Sequence, residues 1–477
     1  MQNLELLLLI ASSTYLVFQV FTGKIMNKAY AVGLLAAMLV GHLAFEGARW
    51  QMIPAYLIWL IAMIAAVREP RQQPSVLLKV FKGVGLALLL VLAIALPSLL
   101  PVFELPATTG QFTVGTTDLL LELDREEVIT ADETDTRNFM IKVWYPSKET
   151  SGEMDPYVDV AGRNGFARKY GLQPSMLNYL DKVETNVYRD ASIANEQFPV
   201  LIFSHGYNSK ANSYYALLSD LASHGYVIFA LNHTYESTGT TFLDGSEAYF
   251  DYEYASKIES NTWHLMEPVV EAFKNEVSFE ERHPIVRNGL LNYFVRGMEE
   301  RWAADIMDIV NELEQWNADG PFEGKLDLAR IGVFGHSRGG GSAGEALLSD
   351  KRIKAGANLD GVQWGRIVDT TFQQPFLFLS ADWPADHEDL NQHAYVNKSQ
   401  SVFYEGKILQ SGHSNFMDIP FMVPLQALSQ AGEIDPTLAI EITRELTRSF
   451  FDQHLKESDA DIEALANKYN MLELEVY

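Results

Sequence analysis

The stretch "RIGVFGHSRGGGSAGEALLSD", residues 330–350, decides the fold. Ile331, Val333 and Phe334 read as the end of a buried strand. Gly335 and Gly339 then bracket Ser337 in the pattern G-x-S-x-G, and residues 343–348 read as helix. At such a strand–turn–helix the serine has strained dihedrals and its Oγ stands exposed above the sheet. Glycine is needed on both sides because a Cβ there would meet the neighbouring strand and helix. A glycine-rich turn can instead cradle a phosphate, but the lysine of G-x-x-x-x-G-K-[ST] is missing, so Ser337 reads as a nucleophile.

A serine nucleophile needs a general base, an acid to orient that base, and an oxyanion hole. "GHSNF", residues 412–416, follows a short apolar run, so His413 is expected in a loop at the catalytic edge of the sheet, in the chain order serine, acid, histidine. Two acids compete: Asp360 closes "AGANLD" and Asp382 closes "FLFLSAD". Either could accept the His413 Nδ1–H. The oxyanion donors are expected to be the backbone N–H of Arg338, just after the nucleophile, and that of Tyr207 in "FSHGYNS", a loop shaped by His205 and Gly206. His387 and His393 lack the spacing of a helical zinc pair and read as surface residues, and no metal ligand set is expected.

Around these motifs strand and helix alternate. "FTVGTTDLLLELD" and "RNFMIKVWYPSKE" read as an antiparallel start. Buried strands follow at residues 200–203, 226–231, 355–359, 375–379 and 407–409, with a terminal helix from Pro436. The expectation is an α/β-hydrolase fold, a mostly parallel sheet with helices on both faces and catalytic groups at the carboxyl ends of strands. Residues 236–320 read as a mostly helical insertion. Its aromatics Phe242, Tyr249, Phe250, Tyr252, Tyr254 and Trp263 suit either a lid over an apolar acyl pocket or an ordinary packed layer.

Charge divides the chain. Residues 1–103 carry seven Lys/Arg against three Asp/Glu, whereas residues 104–477 carry 29 against 59. The overall net charge of −26 argues against nucleic acid as a partner, since a phosphate backbone would be repelled. There is no cysteine, which excludes disulfides, thiolate zinc sites and a cysteine nucleophile. Four apolar runs, residues 4–21, 29–45, 53–67 and 84–103, approach the roughly 20 residues that cross a bilayer, so an all-α, four-span anchor over 1–103 is expected ahead of a catalytic domain over 104–477. Lys24 and Lys28 follow the first run, and Arg68, Arg71, Lys79 and Lys82 lie between the third and fourth. The positive-inside rule makes those loops cytoplasmic and the acidic domain extracytoplasmic, on a multi-pass protein of the cell membrane.

The blocks "FTVGTTDL", "IKVWYPS", "FPVLIFSHGYNS…LASHGY", "IGVFGHSRGG", "AGANLDG", "QPFLFLSAD" and "SGHSNFMD" resemble, in order and spacing, the platelet-activating factor acetylhydrolase family of α/β-hydrolases. That resemblance implies a triad of Ser337, Asp360 and His413, and so favours Asp360 over Asp382. It also implies a calcium-independent, cofactor-free serine esterase that removes short or oxidised acyl chains from phospholipids. The four-span block and the long insertion depart from the family's familiar members. An esterase acting on other esters, including polyesters, and a hydrolase-like domain used only for binding are the alternatives.

Overall fold

The computed structural model describes residues 1–22, 27–68 and 75–477. The chain forms two compact units. One comprises Met1–Glu104 with Ser175–Val183 and Phe421–Leu428, and the other Leu105–Pro174, Glu184–Pro420 and Ser429–Tyr477.

The larger unit is built on twelve strands: β1 Thr113–Glu126, β2 Thr136–Ser147, β3 Val187–Arg189, β4 Phe198–Ser204, β5 Val227–Asn232, β6 Gly239–Thr241, β7 Glu247–Tyr249, β8 Leu326–His336, β9 Ile353–Leu359, β10 Phe376–Ser380, β11 Phe403–Ile408 and β12 Leu472–Val476. Ten of them form one sheet in the order β12-β11-β10-β9-β8-β4-β5-β2-β1-β3, and β6 and β7 pair separately. From β5 through β4, β8, β9 and β10 to β11 every pairing is parallel; β2 runs antiparallel to β1 and β5, and β12 antiparallel to β11. The central strands are apolar throughout because helices cover both faces: every residue of β4 and β5 is buried. This is the α/β-hydrolase architecture expected from the sequence. The edge strands β3 and β12 were not foreseen, since three and five residues carry too little alternation to stand out.

The stretch 236–320 opens with the β6–β7 hairpin and ends in a 25-residue helix, Phe294–Ala318. Val295, Met298, Trp302, Ile306, Ile309 and Leu313 repeat at helical spacing and join the same core cluster as β4, β5 and β8. That helix is a layer of the core, and Met266, Val269, Val286, Leu290 and Tyr293 of the preceding stretch join the same cluster.

The smaller unit contains α1 Asn3–Thr22, α2 Lys28–Phe45, α3 Ile53–Val67 and α4 Val76–Leu99. Three helices, Lys28–Phe45, Trp50–Val67 and Val76–Leu99, are long and apolar enough to cross a membrane, and α1 carries a further apolar run, Asn3–Gln19. Small residues make the helix contacts: Ala31, Ala55, Ala62, Ala66 and Ala93 are fully buried, while Leu77, Phe81, Leu88 and Val91 face outward. Arg49, between α2 and α3, grips Glu5 through Nε at 2.6 Å and Nη2 at 2.7 Å and donates to the Leu100 carbonyl at 2.9 Å, tying the start of α1 to the end of α4. Of the residues behind the orientation argument, Lys24 and Arg71 lie outside the described residues.

Candidate active site

Ser337 stands between β8 and the helix Arg338–Ser349 with φ 57° and ψ −126°, in the left-handed half of the map that costs a non-glycine residue free energy. The neighbouring glycines explain how the turn closes. A Cβ on Gly335 would fall 2.3 Å from the Gly339 carbonyl, and one on Gly339 would fall 2.1 Å from the Ser204 carbonyl. Backbone therefore packs on backbone, and the serine is pushed up at the carboxyl edge of the sheet.

Two loops converge on it. The Ser337 N–H donates to the Leu359 carbonyl at 2.9 Å, which brings the end of β9 alongside. Just beyond, Asp360 also has a positive φ, 55°, and its Oδ2 accepts the His413 Nδ1–H at 2.6 Å. The other oxygen, Oδ1, accepts the Ala381 N–H at 2.7 Å and the Trp383 indole N–H at 2.9 Å. The Asp360 carboxylate is 1% exposed, while the His413 ring is 29% exposed and open to a substrate. Three donors hold this carboxylate, which fixes the His413 tautomer with its Nε2 lone pair free. Among the described residues no hydrogen bond joins Ser337 Oγ to His413. Such contacts are often long before substrate binds and tighten in the complex.

Asp382 is placed differently. It is exposed, and its Oδ2 accepts the Gln410 N–H at 2.8 Å, so it anchors a loop and does not meet His413.

On the opposite side lies the turn after β4. His205 donates from Nδ1 to the Gly206 carbonyl at 2.7 Å and accepts the His233 N–H at Nε2 at 3.2 Å, while burial and the nearby His233 hold it neutral. A Cβ on Gly206 would sit 3.2 Å from the Ser337 Cβ, tighter than ordinary contact, so the turn runs close against the serine. Neither the Tyr207 nor the Arg338 backbone N–H has a protein acceptor among the described residues, as an oxyanion site requires. The Tyr207 ring packs edge-on against Phe250, 4.9 Å between centroids, which puts an aromatic of the 236–293 stretch against the loop.

His336, Asp360 and His413 lie close enough together to hold an ion. Among their ring nitrogens all but His413 Nε2 are already committed, however. His336 Nδ1 and Nε2 bond to Tyr214 and the His413 carbonyl, and His413 Nδ1 to Asp360. His393 corrects the surface reading: it is fully buried, its Nε2 accepts from Arg282 at 3.1 Å, and its Nδ1 lies 3.1 Å from that of His283. The sequence gives no sign of this, because the partners lie about 110 residues earlier.

The fold, with a serine on the strand–helix elbow and an Asp–His pair beside it, is that of an α/β-hydrolase. Residues 100–470 match the family of platelet-activating factor acetylhydrolase, isoform II, and the chain belongs to that family and is an ester-hydrolysing enzyme. It is 24% identical over 383 residues to a platelet-activating factor acetylhydrolase of Canis lupus familiaris, covering 74% of this chain and 77% of the relative. It is 26% identical over 380 residues to that of Gallus gallus, covering 74% and 84%. A probable 1-alkyl-2-acetylglycerophosphocholine esterase of Arthroderma benhamiae is 23% identical over 389 residues, covering 73% and 87%. Among solved structures, a ferulic acid esterase from Streptomyces cinnamoneus shares the fold with a TM-score of 0.59 at 24% identity, covering 75% of this chain and 94% of that one.

Proposed function

We propose that this chain is a membrane-anchored serine esterase in which Ser337, His413 and Asp360 form the catalytic triad and the Tyr207 and Arg338 backbone N–H groups hold the oxyanion. The observation that carries the reading is the 2.6 Å bond from His413 Nδ1 to a buried Asp360 beside the strained serine. In acylation Ser337 Oγ attacks the ester carbonyl and His413 Nε2 takes its proton. The carbonyl oxygen becomes an anion held by the two N–H donors, and the imidazolium is stabilised by Asp360. Collapse expels the alcohol, which leaves with the proton from His413. Water then repeats the sequence on the acyl-enzyme, releasing the acid and restoring Ser337.

The substrate class follows from the relatives' names, which are those of enzymes acting on acetylated phospholipids. Short-acyl or oxidised phospholipid-like esters are the corresponding substrates here, with the exposed helix Tyr252–Thr262 and the adjoining Phe250, which packs on Tyr207, as a lid. The helical block supplies the anchor. Arg68, Lys79 and Lys82 near the junction of α3 and α4 make that end cytoplasmic and the hydrolase unit extracytoplasmic, whether or not α1 spans the bilayer. Lipid suits the outward apolar faces of α2 to α4 better than water does.

The test is turnover of p-nitrophenyl acetate and butyrate by the full chain. Ser337→Ala and His413→Ala each abolish it with the fold retained, because the two groups act as one unit. Near wild-type turnover by either variant contradicts the assignment. Protease added outside spheroplasts digests the hydrolase unit; protection contradicts the orientation.

A further inference from the structure

His336, between Gly335 and Ser337, takes no part in the steps above, yet its ring is 1% exposed residue surface and fully hydrogen-bonded. Its Nε2 lies 3.0 Å from the His413 carbonyl, and its Nδ1 lies 2.8 Å from Tyr214 Oη. A carbonyl can only accept, so Nε2 carries the proton and Nδ1 is the acceptor. The Tyr214 hydroxyl must then donate to Nδ1. Its oxygen in turn accepts the Gly206 N–H at 3.0 Å. Only one set of directions satisfies all three bonds: Gly206 N–H to Tyr214, Tyr214 O–H to His336, His336 N–H to His413.

The two ends of this chain belong to the two halves of the site. Gly206 is followed by Tyr207, whose N–H the proposed function assigns to the oxyanion hole, and the His413 carbonyl belongs to the residue assigned as the base. The middle is rigid. Tyr214 is fully buried, its ring packs 4.8 Å from Phe203 on β4, and the His336 ring lies 4.4 Å from that of His413. Burial, with the His413 imidazole close by, holds His336 well below the usual histidine range. Neutrality is what the pattern needs, since a protonated ring would have no acceptor for Tyr214.

We propose that Tyr214 and His336 are positioning residues that lock the oxyanion loop and the main chain of His413 to each other through a single hydrogen-bonded chain. The proposal rests on the triad reading above. Because each bond orients the next, the chain acts as a unit, and breaking it at either link frees both ends.

The variants separate the links. Tyr214→Phe removes the acceptor of the Gly206 N–H and the donor to His336. His336→Asn keeps an acceptor near Nδ1 but lacks the N–H that reaches His413. Each lowers kcat by about 10–100-fold, the cost of misplacing catalytic groups by a fraction of an ångström, with KM changed by less than about threefold. The double variant loses no more than the worse single one. Rates are taken per active site titrated with a fluorophosphonate, with thermal melting in parallel. Wild-type kcat in both single variants with lowered melting temperatures overturns the proposal and leaves a purely structural network; losses that multiply in the double variant overturn the single-unit claim. If Tyr214→Phe does not fold, His336→Asn decides alone by the same criterion. Ser337→Ala runs alongside: turnover there refutes the triad reading itself, whereas an inactive Ser337→Ala beside a fully active Tyr214→Phe refutes only the coupling.

Discussion

The ends of β9 and β10 lie side by side in parallel, and each delivers an aspartate to the same edge of the sheet, yet the two side chains have opposite fates. Asp360 turns inward. Gly361 after it is packed so tightly that a Cβ would fall 2.1 Å from the Ser337 carbonyl, and Asp360 takes up the positive φ of 55°. Its carboxylate receives His413, Ala381 and Trp383. Asp382 leaves β10 outward and holds only a loop amide, the Gln410 N–H. Two acids that look interchangeable in sequence are thus separated by the path of the backbone just past each strand, where the end of β9 hydrogen-bonds to Ser337 and that of β10 does not.

The sharpest way to break this comparison is a pair of asparagines. Asp360→Asn leaves His413 in the wrong tautomer and lowers kcat by on the order of 10⁴-fold, the loss when a triad carboxylate becomes an amide. Asp382→Asn keeps an oxygen for Gln410 and costs less than about tenfold, the worth of one ordinary hydrogen bond. Steady-state kinetics on a water-soluble ester check both. A smaller effect comes from Trp383→Phe, which removes one of three donors to Asp360. Its kcat falls roughly 5–10-fold, as for a bond of about 1 kcal/mol, with the protein still folded by circular dichroism.

The smallest effect is on stability. His205 and His336 are held neutral by burial, and His393 is pushed down to about 4 by burial and the adjacent Arg282. Below the unfolded value of about 6.5 these side chains bind protons in the unfolded chain that they refuse in the folded one, so their contribution to stability falls as pH drops through 6.5 toward 5. His393→Gln removes its share, so the wild-type melting temperature falls relative to that of the variant as pH drops through this range. Parallel profiles for the two proteins contradict a buried neutral His393.

Much of this site was legible before any coordinates. G-H-S-R-G marks the elbow because its glycines answer a packing need that no other residue meets. The order serine, acid, histidine follows from strands that alternate with helices. What sequence could not separate was Asp360 from Asp382, since the difference lies in the backbone path past each strand; only the family resemblance favoured one. Likewise His336 stood in plain view inside the motif, but its partner Tyr214 lies 122 residues away and nothing in local spacing joins them. His393 was misread for the same reason. The helix Phe294–Ala318 was grouped with a lid because charged residues mask its buried stripe.

The most direct measurement is the rate at which a fluorophosphonate labels four forms of the full chain, with the modified peptide located by mass spectrometry. The predicted result is rapid labelling at Ser337 in the wild type and in Asp382→Asn, labelling slowed by orders of magnitude in Asp360→Asn, and none in Ser337→Ala. Labelling that persists in Ser337→Ala, or a severe loss confined to Asp382→Asn, contradicts the assignment of Ser337, His413 and Asp360.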